Sequence, residues 1–291
     1  MTPTPPTPPF TQPKVRSLIA VFLIATVLIG VGLAALQTVT AMNVEDPLWV
    51  MGLYIVLFVG ISLWLRQSLR HHGVQIPAVI GELPTHPRWL GVGGLVIASL
   101  VFSLSAFVLS TSLLASIAPD FVENLLQQVA AEANPRTINP GLYQVVMAIA
   151  TIIIAPITEE FIFRGFILQR WAVKWNLPLA LIVSSIFFGI MHLNPVGLTV
   201  FGLLMGLLYI KTRSLVIPIA AHAFNNLLAN LAMFLPQETN PSTLKALQSS
   251  LPLSIILIVF SAPWLVWFIR RSWPRRDAPI PYEINIEKHP L

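Results

Sequence analysis

Residues 142–168 read LYQVVMAIATIIIAPITEEFIFRGFIL, a stretch of 27 residues with three charges, Glu159, Glu160 and Arg164. About 20 helical residues cross a ~30 Å hydrocarbon core, so a run this long and this apolar predicts a transmembrane helix. A charged side chain near the bilayer centre costs roughly 2.5–3.5 kcal/mol or more, so those three groups need a reason to be there. Seven further runs have the same character: Leu18–Leu36, Leu48–Leu65, Trp89–Leu114, Leu177–Leu193, Val196–Ile210, Leu215–Leu235 and Leu251–Ile269. The fold expected is all-α, a polytopic membrane bundle of about eight transmembrane helices.

Composition agrees. Of the 291 residues 10% are charged and 55% hydrophobic, with a mean hydropathy of +0.77. A typical soluble domain carries about 25% charged residues. An ordinary soluble enzyme, a nucleic-acid-binding domain and a disordered chain are thereby excluded, and no nucleic-acid partner is expected. The pI near 9.9 is assigned to Lys and Arg on membrane-flanking loops. The chain has no cysteine, which removes disulfides, thiol catalysis, Cys-ligated zinc and S-acylation.

Four regions are expected: a disordered Pro/Thr-rich tail over 1–16, helices and an amphipathic segment over 17–141, a core over 142–235, and a last transmembrane helix with a basic tail over 236–291. Within Ala118–Ala133 the residues Phe121, Val122, Leu125, Leu126 and Val129 share one helical stripe. That predicts a surface amphipathic helix, lying on the membrane or packed on protein. Asn194-Pro195 between two short runs predicts a tight hairpin, and Gly189, Gly197, Gly202 and Gly206 are read as packing positions that permit close helix contact. With eight spans, fourteen Lys and Arg fall on one side and only Arg136 and Lys245 on the other. By the positive-inside rule both termini are cytoplasmic in a multi-pass protein, with the plasma membrane the expected location.

The remaining intramembrane polar groups are His192 in the fifth run and His222, with Asn225 and Asn226, in the seventh. Glu160 and Arg164 have the i,i+4 spacing of an intrahelical ion pair. Glu159 is turned about 100° away, so it is read as the working carboxylate and Glu160–Arg164 as structural support. His222 and Asn226 share a face. Counted back from Arg170, Glu159 lies about 16 Å deep; His222 lies about 14 Å beyond Arg213, and His192 roughly 22 Å past Leu177. A carboxylate beside a histidine can hold and deprotonate a water, and a second histidine with an amide can serve an oxyanion or a metal. Such a site is expected to face a cavity open toward the cytoplasm. Phe188 is read either as a wall of it or as packing.

Glu159–Arg164 reads EExxxR, Phe188–His192 reads FxxxH and His222–Asn226 reads HxxxN. In this order they resemble the CAAX-processing protease and bacteriocin-immunity (CPBP) family, over roughly Leu142–Leu235. The resemblance implies an intramembrane endopeptidase of glutamate-dependent or metal-dependent type. Carried onto this chain, Glu159 and His192 would activate the attacking water. His222 and Asn226 would stabilise the oxyanion, or all four would share a Zn²⁺ ion. The substrate would be a membrane-associated protein or peptide. The alternatives are a non-catalytic scaffold or immunity protein of the same fold and, third, a proton-coupled transporter. There is no HExxH motif, no GxSG-type serine and no intramembrane aspartate to support another protease class.

Overall fold

The computed structural model describes residues 9–40, 43–133, 135–233 and 244–288. Among them every regular element is helical. In chain order these are α1 (Val15–Val39), α2 (Pro47–His71), the short α3 (Ile76–Ile80), α4 (Trp89–Ala115) and α5 (Pro119–Ala133). A composite helix follows from α6 (Pro140–Ala148) through α7 (Ala155–Glu160) to α8 (Gln169–Lys174). Then come α9 (Leu177–Ile190), α10 (Pro195–Thr212), α11 (Val216–Met233), α12 (Leu244–Ser249), α13 (Leu251–Ser272) and α14 (Pro281–Lys288).

Among the described residues six helices are long and apolar enough to cross a membrane: α1, α2, α4, the composite helix, α10 and α13. The fifth and seventh apolar runs form the shorter α9 and α11, and residues 234–235 of the seventh lie outside the described residues. The chain is thus a polytopic helical bundle. On α1 the side chains of Leu23, Ile24, Val27, Leu28 and Val31 are each more than half exposed. So large an apolar patch belongs against lipid.

The composite helix is irregular for a reason legible in its residues. Pro156 has no N–H to give to the preceding turn, and the helix widens into π-helical turns over Ile149–Ile154 and again over Phe161–Leu168. Carbonyls near the proline are met from side chains: Thr158 Oγ1 donates to the Ile154 oxygen at 2.8 Å, and Asn226 Nδ2 to the Thr151 oxygen at 2.7 Å. In hydrocarbon no water would do this. The two acidic residues therefore sit on α7, a short regular segment between two widened ones.

The α9–α10 hairpin packs through small residues as expected. A methyl on Gly189 would strike Thr199 and the Pro195 carbonyl, and one on Gly202 would press on Phe188 and Ser185 at 3.3 Å. Asn194 caps α10, accepting from Gly197 N at 3.1 Å, and its amide donates to the Ser103 carbonyl of α4 at 2.8 Å. Helix α5 turns its stripe onto protein: Val122 and Leu126 are buried with Leu247 of α12 and packed by Val108 and Ala115, while Phe121 stays exposed.

Both end segments differ from the sequence reading. Residues 1–8 lie outside the described ones, but the rest of the expected tail is placed. Phe10 is 1% exposed, edge-on to Tyr282 at 5.1 Å, and Arg170 donates to the Pro13 carbonyl at 2.6 Å. One aromatic residue is enough to anchor a segment whose overall composition is too polar to fold alone. At the other end α14 folds back on the bundle. Gln169 Oε1 accepts from Tyr282 N at 2.9 Å, and Asn285 Nδ2 donates to the Ala78 and Arg213 carbonyls, each at 2.9 Å.

Candidate active site

Helix α7 carries Glu159 and Glu160, α11 carries His222, and the turn after α9 carries His192. The sequence reading put His192 inside a span; the helix stops at Ile190, two residues earlier, and His192 N donates to the Gly189 carbonyl at 3.1 Å. At 14 residues, α9 is about 21 Å long at 1.5 Å per residue, too short for a ~30 Å core. Its far end therefore delivers His192 to the depth of the glutamates.

Glu159 and Glu160 reach opposite edges of one ring, Glu160 bonding it and Glu159 standing off. Glu160 Oε1 lies 2.9 Å from His222 Nδ1, and Glu159 Oε2 lies 4.0 Å from His222 Nε2. The same Glu159 Oε2 lies 4.0 Å from His192 Nε2. Glu160 and Arg164 form the anticipated pair at 3.1 Å, both buried. Arg164 is itself fixed, donating to the Gly202 carbonyl at 2.8 Å with its guanidinium 4.7 Å above the Phe188 ring. Glu160 thus does more than balance a charge; it orients His222.

Tautomers follow from the partners. His192 Nδ1 is 2.7 Å from the Phe188 carbonyl, which can only accept, so Nδ1 carries a proton, and in the neutral ring Nε2 has the lone pair. His222 Nδ1 faces an ion-paired carboxylate oxygen, so in the neutral ring its Nε2 is likewise an acceptor. Two lone pairs and Glu159 Oε2, a buried oxygen without a hydrogen-bond partner, therefore converge with no donor among them. Whatever lies between them must bring protons or positive charge.

Asn226 is one turn from His222, but its amide is engaged elsewhere. Nδ2 donates to the Thr151 carbonyl and Oδ1 accepts from Asn225 at 3.2 Å. Phe188 is fully buried between Arg164, His192 and Phe201, so packing is its place. The structure also supplies a residue that sequence reasoning missed. Tyr54 of α2 donates to Glu159 Oε1 at 3.1 Å. A tyrosine escapes a search for ionisable intramembrane groups; its isolated hydroxyl within a run of aliphatic residues is the signal that was there to use.

His192 is the most exposed member, its side chain 32% accessible, with Ile190, Met191, Leu193 and Val196 exposed around it. The site is therefore approached over an apolar surface. The large groove at the basic end of the bundle is lined by none of the four expected residues. Among the described residues no three His, Asp or Glu side chains stand at metal-holding spacing. The donor chemistry does fit such an ion: a carboxylate with two imidazoles is a common catalytic zinc set, and Glu159 Oε2 is unpartnered.

Residues 141–228 match the model of a family described as type II CAAX prenyl endopeptidase Rce1-like. A protein of Bacillus subtilis (strain 168) named "Putative membrane peptidase YdiL" is 37% identical over 83 residues, 28% of this chain and 34% of that protein. The chain thus matches about a third of that relative's length. No solved structure matches at a significant level. The matched segment holds all three motifs, so the family resemblance read from them is borne out over that part of the chain, at the level of a membrane peptidase family.

Proposed function

We propose that this protein is an intramembrane endopeptidase in which Glu159 activates a water for attack on a peptide carbonyl. The observation that carries this is the convergence of His192 Nε2 and His222 Nε2 on Glu159 Oε2, each at 4.0 Å from that buried oxygen. A water there donates one hydrogen to Glu159 and the other to an imidazole. As its oxygen bonds to the carbonyl carbon, the O–H bond breaks and the proton passes to Glu159. Glu159 then returns that proton to the departing amide nitrogen as the C–N bond breaks. Tyr54 holds the other carboxylate oxygen and so fixes the one that reacts. Glu160 and Arg164 hold His222 in the tautomer the water needs. The Asn226 amide, committed to the Thr151 carbonyl, is assigned to holding α11 on the widened helix.

A zinc ion would be held by Glu159, His192 and His222, where it would lower the pKa of a bound water and polarise the scissile carbonyl. The apolar surroundings of His192 suit a substrate that arrives from the bilayer, a membrane-embedded or lipid-anchored protein segment.

The test is cleavage of a quenched peptide library, with and without a lipid anchor, by purified protein, beside Glu159→Gln and with metal content measured directly. The variant keeps the shape and loses the base, so turnover should fall by about 10²–10⁴. Cleavage at the normal rate by Glu159→Gln would sink the mechanism. A folded wild-type protein that cleaves nothing would favour the scaffold reading.

A further inference from the structure

At the basic end of the bundle, away from the proposed active site, lies a groove of ≈ 1380 Å³. Small-molecule pockets are usually about 300–1,000 Å³, so its occupant is large. Its walls are apolar, with Val92 and Leu95 of α4, Leu208 of α10, Ile217 of α11 and Phe268 of α13. Trp264 and Trp267 also line it and are 43% and 56% exposed, so the groove runs out onto the side of α13 that faces lipid.

Its charge is one-sided. Arg88, Lys211, Arg213 and Arg271 line it against a single carboxylate, Glu82. Lys211 and Arg271 lie over Phe268 and Trp267 at 5.4 and 5.8 Å, which holds their heads at the apolar walls.

The floor is built, not a chance depression. Arg213 has a left-handed backbone, φ 58°, unusual for any residue with a side chain. Two bonds hold it there, Arg213 N to the Tyr209 carbonyl at 2.7 Å and Asn285 Nδ2 to the Arg213 carbonyl, and Leu215 N ties the next residues to the Ile80 carbonyl at 2.7 Å. Beside it Gly81 has φ 67°, and a side chain there would collide with the Arg213 carbonyl.

We propose that this groove binds one anionic phospholipid, its phosphate among Arg88, Lys211, Arg213 and Arg271 and its acyl chains along the apolar walls toward Trp267. Cationic pockets between helices at a membrane interface select acidic head groups. The apolar walls and lateral opening require a ligand with tails, which a free anion lacks.

The experiment uses the full chain in neutral detergent, with retained lipid counted by native mass spectrometry. Phosphatidylglycerol and phosphatidylcholine of identical chains are compared. One phosphatidylglycerol should be held about tenfold or more tightly than phosphatidylcholine, and Lys211→Gln/Arg271→Gln should abolish the preference. These are exposed side chains, and an unchanged melting temperature before lipid is added will show that the fold is kept. A second pair at the same end but outside the groove, Arg66→Gln/Arg70→Gln, should keep the preference. Equal retention of the two lipids overturns the proposal, as does equal loss in both variant pairs, which would mean bulk charge. Complete competition by glycerol 3-phosphate also overturns it, showing a free-anion site.

Discussion

At the scale of single residues, the buried charges are arranged as a chain of dependence, from Gly202 and Phe188 to Arg164, to Glu160, to His222. Removing a middle link should cost more than removing an end. Arg164→Ala leaves Glu160 buried and unpaired, and breaking such a pair costs about 3–5 kcal/mol. The expected outcome is a much lower melting temperature in detergent and poor expression; wild-type stability with complete loss of cleavage would move Arg164 into the chemistry. Asn226 offers a sharper test. Its partner carbonyl, Thr151, lies five residues before Pro156, where a π-helical turn would seek an N–H. Asn226→Ala should cost about 1–3 kcal/mol by orphaning that oxygen. Pro156→Ala restores an N–H, so in the double variant Asn226→Ala should cost clearly less, a coupling that a thermal-stability cycle measures. Additive costs would end this account of Asn226.

At the scale of elements, the apolar runs were legible because helix length against bilayer thickness is a simple constraint. The site residues were legible because charge in lipid is expensive. What sequence did not reveal are the details that depend on partners. Nothing in residues 9–16 announces that Phe10 has Tyr282 waiting for it. The early end of α9, which turns His192 out of the helix, depends on Asn194 finding Ser103. The placing of His222 between Glu159 and Glu160 depends on where α11 lies. One capping contact carries its own prediction. Asp46 starts α2 by accepting from Leu48 N at 2.9 Å and ties in the preceding loop of α6 through Thr137 Oγ1 at 2.6 Å and Ile138 N at 2.7 Å. Burial alone would raise the Asp46 carboxyl, but the bonds from Thr137, Leu48 and Ile138 outweigh it and hold it below the usual carboxylate range. A carboxyl depressed on folding adds stability at neutral pH, present above its unfolded value and lost as pH falls through the folded one. Melting temperature should therefore fall below about pH 4, and Asp46→Asn should flatten that part of the profile. An identical acid limb in the variant would show that the cap does not titrate this way.

At the scale of the whole molecule, the charge count becomes a matter of orientation. The ends of α2, α8, α10 and α13 and the start of α1 and α4 all bring Lys or Arg to one end of the bundle, while Arg136 lies at the other. The expected orientation puts that basic end in the cytoplasm. A reporter fused after Arg276 should be active there; activity only on the opposite side would reverse the arrangement.

That same end is where α14 meets Phe10, Gln169, Ala78 and Arg213, partners 72 to 207 positions earlier in the chain for the Asn285 contacts. A ribosome makes α14 after every other element described above. Until it has emerged, the Gln169 oxygen and the Ala78 and Arg213 carbonyls lack the bonds it supplies, and Phe10 has no ring to meet. Domains form in the order of synthesis while late contacts wait, so this corner stays unfinished during insertion and closes only once α14 has been made. A protein truncated before Tyr282 would carry an open, polar-lined scar at its membrane edge, the sort of defect by which quality-control proteases tell a finished product from an aborted one.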